Sequence, residues 1–85
     1  MRIIFSENSW DDYTYWLRVD KRMLTKINDL IKGIQRTPYK GKGKPEALKY
    51  DLSGYWSRRI NGEHRLVYKI YKNDILIYSC RYHYD

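Results

Sequence analysis

Apolar residues recur along this chain first at spacings of three and four and then at spacings of two, with the change near residue 47. Ahead of the helical part, residues 2–5 (Arg-Ile-Ile-Phe) read as a short strand. Ser6 is placed to cap a first helix, with acidic Glu7 in the first turn and Trp10, Tyr13 and Leu17 as its apolar positions. Asp20 caps a second helix, in which Met23, Leu24, Ile27, Leu30, Ile31 and Ile34 form a nearly continuous stripe. Thr37-Pro38 ends it, and Gly41-Lys42-Gly43-Lys44-Pro45 is a basic loop too rich in Gly and Pro to be regular.

Strands separated by turns follow: residues 47–51, a turn at Leu52-Ser53-Gly54, residues 55–60, the hairpin signal Asn61-Gly62, residues 63–71, a turn at Lys72-Asn73, and residues 74–84. The order βααββββ, both helices first, predicts an α+β fold with one helical layer on one face of a mainly antiparallel sheet. Ile75, Leu76 and Ile77 are apolar in succession, as expected of a strand covered on both faces. Such a strand would tie down the tail Arg81-Tyr82-His83-Tyr84-Asp85, where a histidine would otherwise be frayed and idle.

The hairpin register decides which cations share a face. A plain two-residue turn at Asn61-Gly62 pairs Ile60 with Glu63, setting Arg58 opposite Arg65 and Arg59 beside His64. One extra loop residue, with Gly62 in a left-handed bulge, moves Arg59 onto the Arg65 face. Residue pattern alone favours the plain turn slightly.

With 85 residues the chain is read as one domain, 1–85, whose core is modest because a domain of this size buries only about 60 to 65% of its unfolded surface. Large bound cofactors are not expected in such a body. Seventeen Lys and Arg against ten Asp and Glu give a net charge of +7, a field that attracts polyanions, nucleic acid first among them. Ten Tyr and three Trp against one Phe mean that nearly every ring carries a polar handle, suited to stacking on a base or bonding a phosphate. The single Cys80 cannot form an internal disulfide and reads as a small core residue. No apolar run approaches membrane length and the first five residues are too short for a signal peptide, so a cytoplasmic protein without membrane association is expected.

Lys42, Lys44, Lys49, Arg58, Arg59, Arg65 and Arg81 are interleaved with Tyr50, Tyr55, Trp56, Tyr68, Tyr82 and Tyr84 along the loop and strands. An RNA-binding sheet needs that combination, cations for phosphates and rings for unstacked bases, although any half-solvated sheet also alternates in this way. Glu46 lies between Pro45 and Ala47 in this basic stretch, and it reads either as counter-ion to Lys44 and Lys49 or as a general base. A carboxylate and an imidazole suffice for RNA cleavage without metal, because the substrate's own 2′-hydroxyl is the nucleophile and one group takes its proton while the other protonates the leaving 5′-oxygen. An arginine would offset charge on the phosphorane. His64 and His83, the only histidines, form no metal-ligand spacing with the acids, and His64 beside the hairpin turn reads as exposed. No glycine-rich phosphate loop opens a helix, which leaves nucleotide hydrolysis without support.

Ordered motifs run through essentially the whole chain: Ser9-Trp10-Asp11-Asp12-Tyr13, Asp20-Lys21-Arg22, Arg36-Thr37-Pro38, Gly41-Lys42-Gly43-Lys44-Pro45-Glu46, Trp56-Ser57-Arg58-Arg59-Ile60, Glu63-His64-Arg65-Leu66-Val67-Tyr68 and Cys80-Arg81-Tyr82-His83-Tyr84. In these it closely resembles the YoeB/Txe toxins of bacterial toxin-antitoxin pairs, within the RelE-like fold. The resemblance implies a ribosome-dependent endoribonuclease that cuts mRNA in the ribosomal A site and needs no cofactor or metal. It implies Glu46 as general base, His83 as general acid and Arg65 as the residue that stabilises the transition-state phosphate, with Lys49, Arg59 and Tyr84 in support; Lys44 joins them as a cation beside Glu46. As partners it implies a cognate antitoxin whose acidic and apolar segment wraps the toxin, the 70S ribosome with its mRNA, and a second copy in a homodimer. A non-catalytic RNA or ribosome binder, or a co-repressor module for the antitoxin, are the rival readings. If Arg59 and Arg65 both face substrate, the hairpin needs its extra residue, which reverses the register preference. Two features depart from the pattern or lack a role: Asp85 follows the usual terminal tyrosine and brings negative charge towards His83, and Gly33 interrupts the second helix without evident purpose.

Overall fold

A computed structural model describes residues 1–82. The elements are β1 (Ile3–Phe5), α1 (Glu7–Val19), α2 (Lys21–Arg36), β2 (Glu46–Ala47), a 3₁₀ turn (Tyr50–Leu52), β3 (Trp56–Arg59), β4 (Arg65–Tyr71) and β5 (Asp74–Ser79). The sheet runs β1-β5-β4-β3-β2, with β1 parallel to β5 and every other pair antiparallel. The expected α+β order is therefore present, two helices against a mainly antiparallel sheet.

Both helix starts form as their residues dictate. Ser6 accepts the Ser9 amide and Asp20 that of Arg22, each satisfying a donor that the first helical turn leaves open. Along α2, Met23, Ile27, Leu30, Ile31 and Ile34 are buried and meet Leu66, Tyr68, Ile75 and Ile77 from the sheet. The expected stripe of α1 has a different phase. Trp10 and Leu17 are 52% and 48% exposed, whereas Ser9 and Trp16 are buried. Polar groups set that phase: the Trp16 indole N–H donates to the Cys80 carbonyl at 2.8 Å, and the Asp12 carboxylate accepts the Cys80 amide at 3.0 Å.

Three strand boundaries differ from expectation. Residues 47–51 do not form a strand; β2 is only Glu46–Ala47, because Tyr50 takes a left-handed φ of 56° and the chain turns into the 3₁₀ segment. The strand expected to reach residue 84 stops at Ser79, since the Cys80 amide turns to Asp12 and Tyr82 adopts φ 64°. Nor is β5 covered on both faces, for Ile75 and Ile77 are buried while Leu76 is half-buried and Tyr78 exposed. An irregularity between Val67 and Tyr68 pairs Val67 with Ser79 and Tyr68 with Ile77, leaving Tyr78 as the extra residue.

The hairpin register is the consequential one. Arg59 pairs with Arg65 and Arg58 with Leu66, while the Ile60 amide donates to His64 O, so the loop is Asn61-Gly62-Glu63. The extra residue is present, as the resemblance required and the plain turn did not. Gly62 is not left-handed, however; the Asn61 side chain closes the loop by accepting the Glu63 and His64 amides at 2.9 and 2.7 Å.

Candidate active site

Residues directly opposite in an antiparallel pair point to the same side of the sheet, and side chains alternate along a strand. Glu46 opposes Ser57, Ser57 opposes Val67, and Arg59 opposes Arg65, so Glu46, Ser57, Arg59, Arg65 and Val67 all belong to one face. Trp56, Arg58, Leu66 and Tyr68 belong to the other, which carries the helices. At about 3.3 Å per residue and 4.8 Å per strand, the Glu46 and Arg65 Cα atoms lie about 12 Å apart, a span that two long side chains can close around one phosphodiester.

Arg59 and Arg65 are like charges directly opposed, an arrangement that costs stability unless an anion joins it. Neither has a carboxylate partner among the described residues. Arg65 is half-buried and held by one nitrogen: Nη1 donates to Asn61 O at 2.9 Å and His64 O at 3.1 Å, leaving Nε and Nη2 without a bond among the described residues. Lys44 and Lys49 are exposed on either side of β2, Lys44 in left-handed backbone at φ 52° and Lys49 directly ahead of the 3₁₀ turn. His83 and Tyr84 lie outside the described residues. The structure thus brings Glu46, Arg59 and Arg65 to one face, with Lys44 and Lys49 flanking β2.

Two cations read as candidate RNA ligands are engaged elsewhere. Arg58 is fully buried on the helix side, where Nε donates to the Tyr68 hydroxyl at 3.2 Å, Nη1 to Lys42 O at 3.1 Å, and Nη2 to Thr37 O and Lys40 O at 2.6 and 2.7 Å. The Tyr68 hydroxyl in turn donates to Pro38 O at 2.6 Å. Burial pushes the Tyr68 phenol above its ordinary pKa, with the Arg58 guanidinium opposing, so it keeps the proton that it donates. Arg81 stacks 3.6 Å above the Tyr15 ring.

Arg58 gives the basic loop its shape. Four carbonyls of residues 37–42 converge on one guanidinium or its tyrosine partner, and the Arg59 amide donates to Gly43 O at 2.6 Å, which delivers the chain to Pro45 and Glu46. Gly33 now has a role: a Cβ there would lie 3.3 Å from Arg58 Nη1. At Gly43, left-handed at φ 83°, a Cβ would meet Leu30 and Arg58 at 3.0 Å. The signal in the sequence was three glycines, 33, 41 and 43, around a Thr-Pro helix end, but only the hairpin register tells which arginine they accommodate.

His64 also departs from expectation. It is 7% exposed, its ring meets Trp16 edge-on at 4.8 Å, and its Nδ1 accepts the Tyr82 amide at 2.7 Å. Cys80 is a core residue with its thiol pushed up to about 12 by burial and then by Asp12, which leaves it no nucleophilic use. Asp12 itself is raised by burial, opposed by its bond from the Cys80 amide and by Arg81. Among the described residues no cluster of His, Cys, Asp and Glu could hold a metal ion, and no helix is long and apolar enough to cross a membrane.

Two helices packed on one face of a five-stranded, mainly antiparallel sheet form the RelE-like toxin fold. A family model described as the YoeB-like toxin of bacterial type II toxin-antitoxin systems matches residues 5–84. The chain belongs to that family. It is 62% identical over 84 residues to Toxin YoeB of Escherichia coli (strain K12), covering 99% of this chain and 100% of that one. The solved YoeB/ParE toxin from Agrobacterium tumefaciens superposes with a TM-score of 0.97 at 51% identity, covering 99% of this chain and 100% of the other. Staphylococcus aureus YoeB has been solved as a dimer (TM-score 0.93, 53% identity) and in a YoeB-YefM complex (0.92, 52%), each covering 99% of this chain and 98% of that chain.

Proposed function

We propose that this toxin is a ribosome-dependent endoribonuclease that cleaves mRNA in the A site by attack of the substrate 2′-hydroxyl and thereby stops translation. The observation that carries the reading is the sheet face away from the helices, where two directly opposed arginines without a carboxylate partner among the described residues share a side with Glu46. Glu46 takes the proton from the 2′-hydroxyl, the 2′-oxygen bonds to the adjacent phosphorus, and the bond to the 5′-oxygen breaks as His83 protonates it. The products are a 2′,3′-cyclic phosphate and a 5′-hydroxyl, and water opens the cycle to a 3′-phosphate. Arg65 offers its open nitrogens to the phosphorane oxygens, where charge grows, and Arg59 neutralises the same phosphate from the next strand. Lys44, Lys49 and Tyr84 hold the flanking nucleotides. Proton transfer is complete with Glu46 and His83 and charge is offset by arginine, so the reaction proceeds without a catalytic metal.

The relative solved in complex with YefM supports an antitoxin as partner here also, and a chain with a net charge of +7 suits an acidic, partly apolar wrapping segment. The dimeric relative supports a homodimer. Ribosomes and mRNA place the working protein in the cytoplasm.

Primer extension on translated mRNA tests the reading, comparing the wild type with Glu46→Ala and His83→Ala. Cleavage falls by at least about 10³-fold in either variant while ribosome binding persists. Undiminished translational arrest by the double variant, without cut message, would replace the enzyme by a binder that acts through occupancy.

A further inference from the structure

We infer that His64 is a positioning residue for the general acid: its Nδ1 lone pair anchors the backbone of Tyr82, the residue directly ahead of His83. The inference rests on the reading of His83 as that acid. A backbone amide can only donate, so a Tyr82 N–H 2.7 Å from His64 Nδ1 requires that nitrogen to be unprotonated, with the ring proton on Nε2. Nε2 lies 3.6 Å from a Glu63 carboxylate oxygen, a suitable neighbour for that N–H. The other backbone polar group of the same residue is also engaged, because Tyr82 O accepts the Arg65 amide at 2.8 Å. Tyr82 is left-handed at φ 64° and its own ring is 56% exposed, so backbone bonds rather than side-chain burial hold this turn.

His64 is in turn enclosed by fixed neighbours. It is buried, packed edge-on against Trp16 at 4.8 Å, and Trp16 is itself tied to Cys80 O at 2.8 Å. The residue before the proposed acid is therefore bonded to His64 and to Arg65, which opens β4 and is the proposed phosphate ligand. Arg65 and the residue directly ahead of the proposed acid are thus held to each other through their backbones. A displacement of about 1 Å at a reacting group can cost about 10²-fold in rate.

Three variants separate positioning from folding. His64→Phe keeps a ring against Trp16 but has no acceptor; His64→Asn places Oδ1 near the position of Nδ1; His83→Ala removes the acid. Each is assayed on ribosomes programmed with mRNA, in single turnover, for the saturating cleavage rate and the half-saturating toxin concentration. The free toxin is assayed for the ¹⁵N order parameter of the Tyr82 amide and for Tm. The expected result for His64→Phe is a saturating rate lowered about 10- to 100-fold, half-saturation changed less than about twofold, a lowered Tyr82 order parameter and a Tm loss under about 4 °C. Asn at the same position restores the rate to within about threefold. Wild-type rate and Tyr82 order in His64→Phe would overturn the proposal, and so would equal losses of rate and Tm in the Phe and Asn variants, which mark a merely structural residue. If His83→Ala cleaves normally, the reading of the acid fails instead, and the Tyr82 order parameter still reports separately whether His64 holds the tail.

Discussion

Arg58 and Arg59 are neighbours in the chain and identical in chemistry, yet they occupy opposite faces of β3 and carry opposite duties. Arg58 is completely buried and spends its donors on carbonyls of residues 37–42, whereas Arg59 is exposed and faces a second arginine with no carboxylate partner among the described residues. The pleat of one strand turns one cation into a strut for the loop ahead of Glu46 and the other into a candidate ligand for phosphate. Residue type therefore says little about a basic residue's duty until the register is known.

The largest expected effect breaks the strut. Arg58→Met leaves the Thr37, Lys40 and Lys42 carbonyls without their donor, and urea unfolding should show a loss of about 3 kcal/mol or more. Arg59→Met, one residue away, should change stability by no more than about 0.5 kcal/mol, since it relieves a like-charge pair. A large loss there would erase the distinction between the faces. Cleavage should respond in the reverse sense: Arg65→Met lowers the single-turnover rate about 10²-fold and Arg59→Met about 10-fold, with unfolding midpoints near wild type.

Gly33→Ala gives a smaller effect with a telling sign. In an open helix this change stabilises by about 1 kcal/mol, but here the new Cβ presses on Arg58 Nη1, which Lys42 O holds, so a net loss of about 1 kcal/mol is expected. In an Arg58→Met background the sign should revert, and a thermodynamic cycle over the two sites measures the coupling. Smallest at neutral pH is Cys80. Its folded pKa of about 12 stands above the ordinary 9.0, so the folded chain keeps a proton that the unfolded chain releases. The associated stability is complete below pH 9 and is lost as pH rises towards 12, which a comparison of wild type with Cys80→Ala through that range should show.

Much of this architecture is legible from residue pattern because it rests on local rules. The α2 stripe, the caps at Ser6 and Asp20, and the break at Thr37-Pro38 follow from spacing and capping chemistry and hold in the structure. What pattern misses depends on contacts between distant segments. The phase of α1 is set by Trp16 and Asp12 bonding to Cys80, more than sixty residues away, and the end of β5 by the same contacts. At the candidate site, Glu46, Arg59 and Arg65 were nameable from resemblance, but their shared face needed the Asn61 loop closed by an Asx side chain rather than by Gly62. Arg58, Arg81 and His64 escape residue pattern for one reason: their partners are backbone carbonyls, a tyrosine face and a backbone amide, groups that every sequence contains and no motif marks.

The central claim is that the nucleophile belongs to the substrate and that the toxin's side chains only move protons and hold the phosphate. It is tested most directly by placing a single 2′-deoxynucleotide on the 5′ side of the scissile phosphate in an A-site codon and following cleavage on programmed ribosomes. The predicted result is loss of cutting at that bond by at least about 10³-fold with toxin binding unchanged, while the all-ribose message yields a 2′,3′-cyclic phosphate and a 5′-hydroxyl. Cutting of the deoxy-substituted bond at the normal rate, with a free 3′-hydroxyl or a linear phosphate as first product, would contradict it.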